Sequence, residues 1–469
     1  MRLYLFISFV LLTCFASATT VIKGHIQGVD GKAYGNKTFN VEVVEDFITF
    51  TKTTLFSGKS GKHGDFEVNV ELKNTSFLFI SFDKVQRTFY AESGKSYYVD
   101  IKVPVEGLSN KSKGFSKNIA PANIINTYKK ELNYLIDTLD YACSKFLQNN
   151  VAERKDGKRV TLFIETLRVE FEGIKSVYFQ DYLRYKEAEL MLYSYRDMRK
   201  VFSVKYFEKE KNIAGHVQKM HVFSSFFKGN LRFNILIDDR SPFHNMFNKG
   251  DLDGCLKLIY QSNSNNRELR ELLLLKGIYE VHSQEYYKLR KEVRILDKLI
   301  ESSAYPANRK IALHMKQNIT HLKESYPAPS LKIEGEKEQF DLALYKNKYV
   351  YLAFFNAWDD SFDKEVEVME MLKRTYKNEL EIVCVSIDPD TVKFAELKKT
   401  YQNGIQFIHY NFQSEVLFNF NIEDFRLDRY DIENIAKYYL IDPDGYLVFS
   451  PAKQPTKGFN KDFKRIIAQ

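Results

Sequence analysis

The spacing of apolar and polar positions changes twice along the chain. From residue 19 to about residue 104 it has the period of a strand. Val21-Ile-Lys-Gly-His-Ile-Gln27 alternates, and Gly28-Val-Asp-Gly31 supplies a turn. Asn40 to Phe56, Gly61 to Val70, Phe77 to Phe82 and Ser96 to Ile101 continue the pattern. Short strands separated by turn signals predict a small antiparallel β-sandwich over 19–104. Residues 105–117, rich in Gly, Ser, Asn and Lys, read as a linker. The period then lengthens. Ile124, Tyr128, Leu132, Leu135, Leu139 and Cys143 fall on one helical face. Leu162 to Tyr195 reads as one long amphipathic stretch through Phe163, Leu167, Phe171, Ile174 and Tyr178. Asn266 to His282, Tyr286 to Ile300 and Arg309 to Lys323 read as further helices, the last after the breaker Tyr305-Pro306. Residues 118–325 are therefore predicted to be all-α, with no fixed repeat period.

The second change falls at Tyr326-Pro-Ala-Pro-Ser-Leu331, a stretch of breakers. Over 327–469 strand and helix alternate. Tyr349 to Phe355 is apolar at almost every position, as in a central strand covered on both faces. Val366, Met369 and Leu372 then mark a helical stripe. Leu380 to Asp388 is a second buried strand, and Tyr438 to Val448 reads as a hairpin turning at Pro443-Asp-Gly445. The fold class expected is multi-domain: an N-terminal all-β sandwich, a central all-α region and a C-terminal α/β domain.

Composition supports packed cores, with 44% hydrophobic and 15% aromatic residues in 469. The net charge of +8 is spread along the chain, without the basic blocks or motifs that nucleic-acid binding uses. The aromatics of Tyr178 to Glu189 recur at helical spacing, which favours packing core over a platform for glycan or peptide. Met1-Arg2, the apolar run Leu3 to Leu12 and Ala16-Ser-Ala18 read as a signal peptide over 1–18, cleaved after Ala18. The competing reading is lipidation at Cys14, within Leu11-Leu-Thr-Cys14, and membrane contact is expected only in that case. Cys143, Cys255 and Cys384 then remain, an odd and scattered set that is no disulfide framework. Cys384 reads as a small core residue. Cys143 and Cys255 read as buried helical thiols, with pairing between them the other possibility. His25 and His63 are isolated, and His314 with His321 lacks companion ligands, so no metal is expected.

Taken in order, several segments resemble the exported TlpA-like branch of the thioredoxin superfamily over roughly 327–460. They are Pro327-Ala-Pro329, Lys348 to Phe355, Leu380 to Asp388 with its Val-Ser-Ile-Asp ending, and Tyr438 to Val448. Phe79 to Ile101 resembles the β-sandwich that often precedes such domains. Tyr178 to Glu189 resembles the helical insert found between them. The resemblance implies a thioredoxin-like fold and a Cys-x-x-Cys after Trp358. The four positions here are Asp359, Asp360, Ser361 and Phe362. Disulfide exchange needs a thiolate at a helix N-terminus and a second thiol to resolve the mixed disulfide. Asp359 and Phe362 supply neither. The family's cis-proline position falls on Ala436, after Ile435; a non-proline cis bond costs ~2.5–4 kcal/mol, so a trans bond is expected.

The expectation is thus a redox-inactive thioredoxin-like protein of the periplasm or cell envelope. It would bind or scaffold an envelope protein, a peptide or a glycan-processing assembly, with no catalytic residue and no cofactor. Trp358, Asp359, Asp360, Ser361, Phe362, Ile435 and Ala436 form the candidate binding loop. Asp359 is expected to cap the following helix. Glu365 and Glu367 are expected to be solvated, and Lys453-Gln-Pro-Thr456 to lie near the same face without chemistry of its own. The alternative is a thiol-disulfide oxidoreductase of the TlpA-like group. A carboxylate-based hydrolase or cation site at Asp359 and Asp360 ranks last.

Overall fold

The computed structural model describes residues 18–29, 31–82, 85–103, 118–149, 156–194, 199–234, 241–262, 266–282, 286–334, 339–355, 362–386, 391–401, 404–409 and 437–468. The expected leader up to residue 17, Cys14 and the 105–117 linker lie outside these. The chain forms two compact units, Met1–Leu313 and His314–Gln469.

The first unit begins with β1 (Ala18–Gly28), β2 (Thr38–Val44), β3 (Lys52–Lys59), β4 (Asp65–Leu72), β5 (Ser76–Phe82), β6 (Val85–Ala91), β7 (Ser96–Val103), β8 (Asn118–Pro121) and β9 (Asn123–Ile124). They form two sheets, ordered β4-β1-β7-β9 and β3-β2-β5-β6-β8. Alternation does what the sequence pattern asks. Every second residue of β4 is buried, and the inward residues of both sheets share one core around Ile22, Ile26, Phe39, Val41 and Val99. The sheets are mixed rather than purely antiparallel, because β7 runs parallel to β1 and β8 parallel to β6. Gly24 on β1 is required by close approach: a Cβ there would lie 2.3 Å from the Phe66 ring and 2.6 Å from the Val99 carbonyl.

Helices follow: α1 (Leu132–Asn149), α2 (Gly157–Glu170), α3 (Val177–Ser194), α4 (Arg199–Ser203), α5 (Val217–Phe226), α6 (Asn230–Asn234), α7 (Pro242–Lys249), α8 (Leu252–Ser262), α9 (Arg267–His282), α10 (Leu289–Ser302) and α11 (Pro306–Ile319). Three boundaries depart from the sequence expectation. Ile124 is no helical residue; it pairs with Val99 across the sheet, and Tyr128 sits in an exposed turn. The helix starts later because the Glu131 carboxylate accepts from the Tyr134 N–H at 3.0 Å, which caps the chain there. The stretch expected from Leu162 onward is two helices as far as it is described, to Ser194. Gly173 takes φ +80° after α2, and the Ser176 hydroxyl accepts from the Phe179 N–H as α3 begins. Pro306 opens α11 instead of breaking a chain, since the first helical position needs no N–H donor.

The aromatics of α3 are core. Phe179 and Tyr185 are wholly buried, and Tyr182 nearly so. Tyr90 of β6 packs against Tyr178 and Tyr182, and its backbone N–H and carbonyl both bond to the Asn133 amide of α1. The sandwich and the helices are thereby joined by both packing and hydrogen bonds.

The second unit holds β10 (Lys332–Glu334) and β11 (Gln339–Asp341), a short hairpin, and then a five-stranded sheet. Its strands are β12 (Tyr349–Phe355), β13 (Leu380–Ser386), β14 (Gln406–His409), β15 (Lys437–Ile441) and β16 (Leu447–Phe449), in the order β14-β13-β12-β15-β16. β12, β13 and β14 run parallel, whereas β15 and β16 are antiparallel to their neighbours. The continuous apolar run of β12 follows from its central place. Tyr351, Ala353 and Phe355 meet α12 (Phe362–Thr375), α13 (Thr391–Thr400) and α14 (Phe459–Ile467) on one face. Val350, Leu352 and Phe354 meet Leu331, Ile333 and Phe340 on the other. The β15–β16 turn falls where Pro443-Asp-Gly445 placed it. The Asp442 carboxylate accepts from the N–H groups of Asp444 and Tyr446, and Gly445 has φ +90°.

Candidate functional site

The site is framed by the ends of β12 and β13, the start of α12 and the segment after β16. Of the candidate loop residues, Trp358, Asp359, Asp360, Ser361, Ile435 and Ala436 lie outside the described residues. Phe362 is placed. It is the first residue of α12 and only 2% exposed, with its ring stacked on Phe355 at 4.0 Å and an interplanar angle of 5°. Phe362 is thus a hydrophobic anchor between strand and helix. Such a stacked pair contributes about 0.5–1.5 kcal/mol beyond the area it buries.

Glu365 corrects one expectation. Instead of being solvated it is 9% exposed, and its carboxylate accepts from both the backbone N–H and the hydroxyl of Thr456, at 2.9 and 2.5 Å. Its position explains this. Glu365 lies three residues after Phe362 and four before Met369, on the buried stripe of α12, where a carboxylate needs partners. Thr456 provides them from a one-turn 3₁₀ segment, Pro455–Lys457. That stripe was the signal available in the sequence. Glu367, one turn face away, is exposed.

The same segment is fixed from the sheet side. The Tyr351 hydroxyl donates to the Lys453 carbonyl at 2.7 Å, and burial pushes the Tyr351 phenol well above its ordinary pKa, so it stays a donor. Lys453 in turn pairs with Asp462 of α14 at 2.7 Å. The Ser450–Pro451 peptide, just before this segment, is cis. Lys453 to Thr456 therefore has a structural task beside the site that its residue types alone did not announce.

The thiols of the described residues are placed where they cannot act. Cys143, Cys255 and Cys384 are free and buried. Burial pushes the first two up to about 12, and Cys384 higher still, with its sulfur 3.6 Å from that of Met369. A thiolate, the form that attacks a disulfide, is inaccessible at all three. Among the described residues no group of three His, Cys, Asp or Glu side chains is placed to hold a metal, and no helix is long and apolar enough to cross a membrane. His25 bonds to Asp65 at 3.0 Å on the sandwich surface, and His314 is nearly buried in α11.

No family model matches this sequence, and no curated protein does. Solved structures match about a third of it. The thioredoxin domain of a thiol-disulfide oxidoreductase from Bacteroides vulgatus is 19% identical, covering 30% of this chain and 97% of that one, at a TM-score of 0.26. A thiol-disulfide oxidoreductase from Bacteroides fragilis is 18% identical over 30% of this chain and 98% of that one, at 0.24. A thiol:disulfide interchange protein from a Bacteroides species is 20% identical over 31% and 90%, at 0.26.

Proposed function

We propose that the C-terminal unit is a thioredoxin-like module that binds a partner without exchanging disulfides, within an exported protein of the periplasm or cell envelope. The observation that carries this reading is Phe362. Its ring is built into the core against Phe355, at the place where exchange requires a thiol. The buried, protonated state of Cys143, Cys255 and Cys384 supports it, because no thiol from elsewhere in the described chain can substitute. The partner is a protein or peptide of the envelope, or a glycan-processing assembly, met by the loop from Trp358 to Phe362 with Ile435 and Ala436. Asp359 and Asp360 belong to that loop and supply its charge; with α12 beginning at Phe362, the capping position falls on Ser361 rather than on Asp359.

Two measurements test it. Insulin reduction by the purified chain, with dithiothreitol as electron source, is expected to run at the buffer rate. Turnover above buffer would overturn the reading in favour of an oxidoreductase. A photo-crosslinking residue at position 360, exposed to a native envelope fraction, is expected to give discrete adducts absent when the crosslinker is moved to Lys23. An identical pattern at both positions counts against a binding loop.

A further inference from the structure

We propose that a cleft of the first unit, between α7 and the approach to α10, binds a compact, multiply charged oxyanion, a phosphate or sulfate group. The cleft measures about 520 Å³. His244 and Asn248 line it from α7, and Tyr286, Tyr287, Lys288, Arg290 and Lys291 from the other side. Among the described residues no carboxylate lines the cleft, in a chain with 61 acidic against 69 basic side chains. The one acid in the first turn of α10, Glu292, is wholly buried and turned to His282, with its oxygen 2.7 Å from the ring Nδ1. Burial raises its pKa against the pull of His282, and it does not line the cleft.

What lines the cleft is almost entirely hydrogen-bond donors. Lys291 gives one of its three N–H bonds to the Asn248 carbonyl at 2.8 Å, which holds the ammonium at the cleft wall. Arg290 offers a planar fork matched to two oxygens of a tetrahedral anion, and Lys288 a point charge two residues away. The His244 ring stands between two phenols, with Nδ1 3.0 Å from the Tyr287 hydroxyl and Nε2 3.3 Å from that of Tyr286. Burial keeps the Tyr287 phenol protonated. In either tautomer the ring donates to one phenol, so that hydroxyl can turn its own proton to a ligand. A larger cleft of about 1220 Å³ in the same unit offers a contrast. There Glu208, Glu210 and Glu268 line the wall beside Lys209 and Lys211, so acids and bases are mixed, and Glu210 is held by Arg184 and Lys219. Among its described residues the smaller cleft presents cations without acids, which suits an anion.

The test is calorimetric titration of the full chain with inorganic pyrophosphate at low ionic strength, with inorganic phosphate and sulfate as further probes. One saturable site is expected, weakening as salt is added. The double variant Lys288→Gln/Arg290→Gln, both exposed and outside the core, is expected to melt like the parent and to bind about tenfold or more weakly, as loss of charge-assisted bonds requires. Tyr287→Phe keeps the ring and is expected to bind several-fold more weakly by loss of its hydroxyl. Lys23→Gln, on the sandwich, is expected to bind as the parent does. Absence of saturable binding for all three probes would overturn the proposal, as would a double variant that binds like the parent.

Discussion

Glu365 holds two donors of Thr456 at once, and the pair ties α12 to the segment that follows the last strand. The cost of removing it is the loss of two hydrogen bonds made by a buried carboxylate; Thr456 is itself exposed, so water can replace the acceptor there. Glu365→Ala is expected to lower stability by about 1–3 kcal/mol in urea denaturation, and Glu365→Gln by less, since the amide keeps one acceptor. Combining Glu365→Ala with Thr456→Ala should cost less than the sum of the two, a coupling that a double-mutant cycle measures directly. His216 is a second residue with a defined consequence. It stacks on Tyr178 at 4.2 Å and bonds through Nε2 to the Tyr178 carbonyl. Burial lowers its pKa to about 4, against the opposing pull of that carbonyl. The unfolded chain therefore takes the proton first, near pH 6.5. The stability this contributes is complete above about pH 6.5 and is lost as pH falls toward 4, at most about 3 kcal/mol. His216→Gln should flatten that part of the stability–pH curve, and an unchanged slope between pH 6.5 and 4 would refute the assignment.

At the scale of elements, the junction of β12 and α12 was the most legible part of the sequence. A seven-residue apolar run rich in aromatics is too short for a buried helix and suits a strand covered on both faces, and both covers are found, the helices on one side and Leu331, Ile333 and Phe340 on the other. The turn at Gly445 was equally readable, because few residues adopt its backbone. What local patterning missed was set by partners far along the chain. Ile124 has helical spacing relative to Leu132, yet it joins β7, a choice made by the open edge of a sheet. Glu365 looked solvated by residue type, and only Thr456, 91 positions later, makes its burial acceptable. Asp359, Asp360, Ser361, Ile435 and Ala436 remain known from sequence alone. The junction also limits what mutation can restore. Asp359→Cys with Phe362→Cys rebuilds the thiol spacing but removes a ring stacked in the core. That variant is expected to lose about 2–4 kcal/mol, somewhat below the usual Phe→Ala range. The thiol at position 362 would be buried beneath Phe355, so insulin reduction should stay at the buffer rate. Full stability with gained turnover would show that the stack is dispensable.

On the scale of the whole molecule, the three buried thiols report on two compact units separately. Cys143 and Cys255 belong to Met1–Leu313, and Cys384 to His314–Gln469. Each is screened from solvent in the folded chain, so modification by a thiol reagent requires opening of the unit that holds it. Cys143 lies in the core of α1, α2 and α3, and Cys255 on α8, so one cooperative unit would release both together. Cys384 sits on β13 against Met369 of α12 and opens only when that sheet and helix part. Native-state labelling over a urea series, read by mass spectrometry of the peptides, is expected to show no modification of the three in the absence of denaturant. With urea, Cys143 and Cys255 should share one protection curve and Cys384 should follow another. A single curve for all three would mean that the two units unfold as one. Rapid labelling of Cys384 without denaturant would contradict its burial and reopen a thiol-based role for the second unit.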